Sequence, residues 1–148
     1  EDVFFGEWLE DPMAFGAFED GELLGYVEGS PETWNRRFRI SNLCIFEDAG
    51  RRRGIGTALM DTIAKAADAS GARMLVLETQ SCNVNAVDFY LHEGFTLIGL
   101  DSCCYGNNDL ARKEVRLNLG WFPPQKAKPS DGENGIRPER PEERHAAE

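Results

Sequence analysis

Arg51-Arg52-Arg53-Gly54-Ile55-Gly56 sets three guanidinium groups and two glycines directly before a helix-forming stretch, Thr57-Ala58-Leu59-Met60. Guanidinium groups bring charge and fork-shaped donors, and glycines bring bare backbone that a ligand can approach closely. The N–H groups at a helix start lack intrahelical acceptors, and the helix dipole adds partial positive charge there. This is chemistry for an anion, most economically a pyrophosphate. A Walker loop needs Gly-x-x-x-x-Gly-Lys-Ser/Thr, and no such run exists in the chain. A dinucleotide fingerprint starts well at Gly54 and Gly56, with Glu78 at the end of the next strand. Leu59, however, takes its third glycine position, and an antiparallel meander precedes it.

Such a loop must be held between a strand and a helix, and the flanking sequence supplies both. Residues 13–19 and 23–29 are β-prone runs joined across Asp20-Gly21, a strong hairpin signal. A third run over 37–46 alternates, which places Phe38, Ile40, Asn42, Cys44 and Phe46 on one side. After Gly54 the period changes: Ile55, Ala58, Leu59, Thr62, Ile63, Ala66 and Ala67 predict an amphipathic helix ending near Gly71. Residues 73–80 read as a buried strand. Asn83 then caps a second helix whose Ala86, Phe89 and Tyr90 share a face until Gly94 stops it. Residues 95–100 and 113–120 close the order β-β-β-α-β-α-β-β, an α/β fold on one mixed sheet. Residues 1–120 form the expected domain. Residues 121–148, rich in Pro, Gly and charge from Phe122 onward, read as a disordered tail.

Charge and composition narrow the function. The net charge is −10, and the first 35 residues hold ten carboxylates and no Lys or Arg. That field disfavours nucleic acid or anionic lipid as the main partner and favours a cationic small molecule, with solubility as the plainer reading. The four cysteines form no Cys-x-x-Cys pair, and neither histidine has zinc-ligand spacing, so no metal is expected. Adjacent Cys103 and Cys104 suit a reducing compartment, the cytoplasm by default. No apolar run approaches the ~18 residues of a membrane span, and no signal peptide is visible. A first residue of Glu1 rather than Met suggests a truncated or processed start.

Arg51 to Gly56 also fits the pattern Gln/Arg-x-x-Gly-x-Gly/Ala and resembles the coenzyme A pyrophosphate loop of the GNAT acetyltransferase superfamily. One strand later, residues 83–95 match a second pattern of that superfamily, Asn-x-x-Ala-x-x-Phe-Tyr-x-x-x-Gly-Phe, at Asn83, Ala86, Phe89, Tyr90, Gly94 and Phe95. Two motifs in register on matching elements identify the chain as a member of this superfamily. The resemblance implies a mostly antiparallel mixed sheet flanked by helices, with two central strands splayed apart to hold pantetheine. It implies acetyl-CoA as acetyl donor, bound by Arg51, Arg52, Arg53, Gly54, Ile55, Gly56 and Thr57. The main chain of Leu43, Cys44 and Ile45 would pair with pantetheine on one side, and Asn83 and Ala86 would meet it on the other. Tyr90 matches the tyrosine that protonates the departing thiolate in many members, or it packs in the core beside Phe89. Glu78, near the strand end where the central strands diverge, is the candidate base or ammonium-binding group, or a salt-bridged surface carboxylate. Cys82 and Cys104 offer a covalent route, although direct attack by the amine is commoner in the superfamily.

Residues 32–45, 76–99 and 104–120 further resemble the streptothricin acetyltransferase branch, whose members acetylate the β-lysine amine of streptothricin antibiotics. Leu77-Glu78-Thr79-Gln80 followed by Asn83-x-x-Ala86 is the most specific part. Trp34, Glu78, Asp101 and Tyr105 then become candidates for a cation-accepting pocket of aromatic faces and carboxylates. Their plainer roles are sheet packing for Trp34 and Tyr105 and a turn for Asp101. The resemblance leaves open a protein lysine or N-terminal acetyltransferase, a non-catalytic acyl-CoA-binding module, and a homodimer. Members also carry a strand and one or two helices before the hairpin, most of which this chain lacks.

Overall fold

The computed structural model describes residues 6–46 and 54–124 of the 148. Strands β1 (Met13–Glu19) and β2 (Glu22–Glu32) form the expected hairpin, with Glu19 paired to Glu22. Asp20 and Gly21 turn it with φ of 50° and 83°, two positive values in succession that match the twist of the strands they join. Strand β3 (Arg37–Ile45) follows, then α1 (Ile55–Ala69), β4 (Met74–Gln80), α2 (Val84–His92), β5 (Thr96–Asp101), α3 (Asp109–Arg112) and β6 (Arg116–Trp121). The sheet order is β1-β2-β3-β4-β6-β5. Only β3 and β4 pair in parallel among the described strands. This is the mixed, mostly antiparallel sheet that the resemblance implies.

Helix α1 lies across β1 to β4 and buries Leu59, Met60, Ile63 and Ala67 against Val27, Phe38, Ile40, Leu75 and Leu77. The buried stripe sits one position round from the expected one, because Met60 takes the inward place and Ala58 and Thr62 are exposed. Thr62 instead returns its hydroxyl to the Ala58 carbonyl at 2.8 Å, satisfying it within the helix.

Two further sequence expectations change in the fold. Asn42 and Cys44 do not share a side with Phe38 and Ile40. Glu28 pairs with Asn42 and Gly29 with Ile40, so Ser41 is an extra residue on β3, a bulge that resets the alternation. Leu43 and Ile45 therefore join the core with Phe38 and Ile40. The last strand starts at Arg116 rather than 113. The residues before it complete α3 and leave it through Lys113, whose φ is 60°.

The consequence is a two-faced sheet. One face carries α1 and the apolar core. By alternation the other carries Glu28, Ser30 and Glu32 of β2, Arg37 and Arg39 of β3, Glu78 of β4, and Arg116 and Asn118 of β6. No described helix is long and apolar enough to cross a membrane.

Candidate active site

The parallel pairing of β3 with β4 ends at Arg39 and Val76. Beyond this fork β3 stays paired with β2, Leu43 to Val27, Cys44 to Tyr26 and Ile45 to Gly25. Strand β4 stays paired with β6 as far as Gln80. The inner edges of both strands therefore face a gap and not each other. A groove of about 1040 Å³ opens there on the helical side. Its walls include Leu43 and Ile45 of β3, Gly54 to Thr57 at the start of α1, and Asn83, Ala86 and Tyr90 at α2. These residues, expected from the sequence to hold the donor, are brought together. Cys44 turns its side chain away and offers only main chain. Arg51, Arg52 and Arg53 lie outside the described residues.

The two glycines have different reasons to be glycine. Gly54 precedes α1 with a φ of 75°, and no atom of the described residues stands within 4 Å of the place a Cβ would occupy. Among the described residues no side chain caps α1, and its first internal bond runs from Ala58 N–H to the Gly54 carbonyl at 3.0 Å. The N–H groups of Ile55, Gly56 and Thr57 thus lack helical acceptors at the groove, the arrangement an anion needs. At Gly56 a Cβ would stand 3.0 Å from the Phe89 ring, so this glycine lets α2 pack on α1. Packing is thus a reason for Gly56 beside the expected ligand approach, since Gly56 also lines the groove.

Helix α2 starts at Asn83, whose side chain accepts from Ala86 N–H at 3.4 Å. Its groove face continues past Tyr90 to Glu93, which accepts the Thr57 hydroxyl at 2.5 Å and ties the two helices together. Sequence reading missed Glu93, Asn85 and His92 in this wall. For Glu93 the signal was present, since Ala86, Phe89, Tyr90 and Glu93 continue one three-four spacing. Tyr90 packs against Phe89 and Phe95, with ring centroids at 5.5 and 5.9 Å, while it also lines the groove. Core packing and a place in the groove wall therefore coexist in one side chain. Burial pushes the phenol above its ordinary value, so it keeps its proton through the neutral range.

The opposite face holds a second cavity, of about 700 Å³, whose walls include Trp8, Glu10, Glu32, Trp34, Arg39, Asn42, Glu78 and Arg116. Glu78 stands just past the fork, 45% exposed, with Oε2 against Arg116 Nη2 and 3.9 Å from Arg39 Nη1. The salt-bridged alternative raised for it is therefore present, and it occurs inside the cavity. Glu32 accepts from Arg37 Nε at 3.1 Å and from Arg39 Nε at 2.5 Å. Burial alone would raise its carboxyl, but hydrogen bonds from Asn35 and Arg39 and the charges of both arginines hold it below the usual range. Glu28, 1% exposed, accepts from Asn42 Nδ2 at 2.8 Å beside the bulge.

The remaining candidates divide. Trp34 lines the cavity with 83% of its surface open. Tyr105 stands outside its wall, within reach of the Glu78 charge. Burial first, and then the charge of Glu78, raise its phenol, outweighing Arg116 and Gln80. Its loop is fastened by Asp109, a buried carboxylate that accepts Tyr105 N–H at 2.7 Å. Asp101 does not reach the cavity wall: it accepts Cys103 N–H at 2.9 Å and shapes the turn after β5. No cysteine lines either cavity. Cys82 approaches Gln80 Oε1 at 3.6 Å, and Cys104 accepts from Arg116 Nη1 at 3.4 Å.

Known proteins fit this geometry. Residues 1–95 match the model of the Acetyltransferase (GNAT) family. The streptothricin acetyltransferase of Escherichia coli is 33% identical over 113 residues, 76% of this chain and 64% of that protein. The streptothricin acetyltransferase of Streptomyces lavendulae is 38% identical over 105 residues, 71% of this chain and 55% of that protein. The chain thus spans less than two thirds of the length of either relative. The crystal structure of a nourseothricin acetyltransferase superposes with a TM-score of 0.69 at 33% identity, covering 83% of this chain and 71% of that one. On the family match and the forked sheet together, the chain belongs to the GNAT acetyltransferase family.

Proposed function

We propose that this chain transfers an acetyl group from acetyl-CoA to an amine of a small cationic acceptor, foremost the β-lysine moiety of streptothricin. The observation that carries the reading is the fork, with a groove containing Tyr90 on the helical side and a cavity containing Glu78 on the other. The names of the similar proteins support the choice of acceptor.

The donor fits the residues present. The open β3 edge at Leu43 to Ile45 accepts an extended chain through main-chain hydrogen bonds, as strand addition does elsewhere. The start of α1, with its bare N–H groups behind Gly54, suits the phosphates. When bound, acetyl-CoA supplies the activated thioester. Tyr90 holds a proton on Oη in the groove wall and delivers it to the departing thiolate. Glu78 binds the acceptor ammonium through its carboxylate and takes its proton, directly or through one water, to leave a neutral nucleophile.

The cavity favours a small acceptor over a peptide. Its volume falls within the ~300–1,000 Å³ of small-molecule sites, and the Trp8 and Trp34 faces suit a cation. The free, adjacent Cys103 and Cys104 agree with a reducing cytoplasm.

Acetyl-CoA-dependent thiol release, measured against streptothricin, lysine, an aminoglycoside, spermidine and a lysine-containing peptide, tests the acceptor. Streptothricin should exceed the others in kcat/KM by at least about tenfold, roughly 1.4 kcal/mol of transition-state discrimination. Preference for the peptide would replace the antibiotic by a protein acceptor.

A further inference from the structure

Four side chains of alternating charge cross four strands of the open face: Glu32 on β2, Arg39 on β3, Glu78 on β4 and Arg116 on β6. Each touches the next. Arg39 Nε donates to Glu32 Oε1 at 2.5 Å, Arg39 Nη1 lies 3.9 Å from Glu78 Oε2, and Arg116 Nη2 meets the same Oε2. The row lies at the fork, because Arg39 belongs to the last β3–β4 pair and Glu78 follows Val76 on the same face of β4. Both ion pairs that Glu78 makes with described residues fall on Oε2. Oε1 takes no hydrogen bond from the described residues, and the side chain is 45% exposed in the wall of the acceptor cavity.

Partly exposed ion pairs contribute little to stability, so stability is a poor reason for three of them in a row. Orientation is a better one. A carboxylate oxygen held between two guanidinium groups cannot move without weakening both pairs, which narrows the range over which the other oxygen can point. Arg39 is itself fixed by Glu32, so the constraint extends away from the reacting centre.

We propose that Arg39 and Arg116 are positioning residues that hold Glu78 by Oε2 and present Oε1 to the acceptor ammonium. The inference rests on the acetyltransferase reading and deepens it. Because the arginines offset the Glu78 charge, recognition depends on a hydrogen bond to Oε1. The site therefore selects an ammonium with N–H groups over a quaternary one.

The test compares Arg116→Met, Arg116→Lys and Arg39→Gln in the intact chain. Arg116→Met should lower kcat/KM for the amine about tenfold or more, leaving the acetyl-CoA KM and the melting temperature near wild type. Arg116→Lys should restore most of the loss, and Arg39→Gln should reproduce part of it. A permethylated acceptor should not compete with the parent amine. A Met variant as active as wild type, or a loss carried by the acetyl-CoA KM, would overturn the proposal. If the chain acetylates no amine, the functional reading fails, and crystal structures of the variants still decide the positioning. The Glu78 carboxylate should move by about 1 Å or more in Arg116→Met and stay in place in Arg116→Lys. An unmoved carboxylate in both refutes the clasp.

Discussion

Tyr90 is at once a core residue and a groove residue, and this fixes what its substitution should do. Tyr90→Phe keeps the ring contacts with Phe89 and Phe95 and removes the proton on Oη. Turnover should fall by roughly 10²-fold with little change in acetyl-CoA affinity, measured by steady-state kinetics and calorimetry. An unchanged rate would mean that water protonates the thiolate. Burial raises the phenol above its ordinary ~10, so the folded state holds this proton more tightly than the unfolded chain. Its contribution to stability is complete below about pH 10 and is lost as pH rises through the higher folded value. Alkaline unfolding followed by circular dichroism should therefore be steeper for wild type than for Tyr90→Phe, and equal slopes would contradict this. Glu32 behaves in the opposite sense. Its carboxyl is held low, so its contribution is complete above the unfolded value of about 4.3 and is lost as pH falls through the lower folded one. Acid unfolding of Glu32→Gln should lack that component, and a profile that overlays wild type would remove Glu32 from the account. The cap at Asn83 and the place of Gly54 before α1 were readable from sequence, because each is set by neighbours a few positions away. Tyr90 was singled out instead by its position in the family motif. Arg39 and Arg116 were not readable, since their partners arrive from other strands.

The elements show the same division. Asp20-Gly21 makes its turn and Asn83 caps α2 because both depend on short-range hydrogen bonding and dihedral freedom. Ser41 hid its role. A polar residue continues a plausible alternation, and only the pairing of Glu28 with Asn42 reveals the bulge. Helix α3 is a single turn, too short for periodicity to disclose. The contact of α1 with α2 yields a further expectation. In Gly56→Ala the new methyl would lie 3.0 Å from Phe89, which must shift together with neighbouring Tyr90. Thermal unfolding should show a loss of about 1–3 kcal/mol, and acetyl-CoA binding should weaken in parallel. A variant as stable as wild type would mean that α2 does not pack on Gly56.

At the scale of the molecule, the proposed function has the sheet separate two tasks that meet only at the fork. The helical face offers bare N–H groups and open strand edges to an anionic, extended donor. The opposite face offers carboxylates and indole rings to a cation. The excess of acid in the first 35 residues is partly spent inside this architecture, since Glu28 is buried on Asn42 and Glu32 is held by Arg37 and Arg39. Net charge therefore overstates the acid that the open face leaves unpaired. The central claim is that the two faces cooperate in one acetyl transfer. Mass spectrometry of streptothricin incubated with acetyl-CoA and the chain tests it most directly. The account predicts one added acetyl group on the β-lysine moiety, lost on Glu78→Gln and strongly slowed by Tyr90→Phe. Acetyl-CoA bound with no acetylated product, and the same affinity after Tyr90→Phe, would contradict it and make the chain an acyl-CoA-binding module.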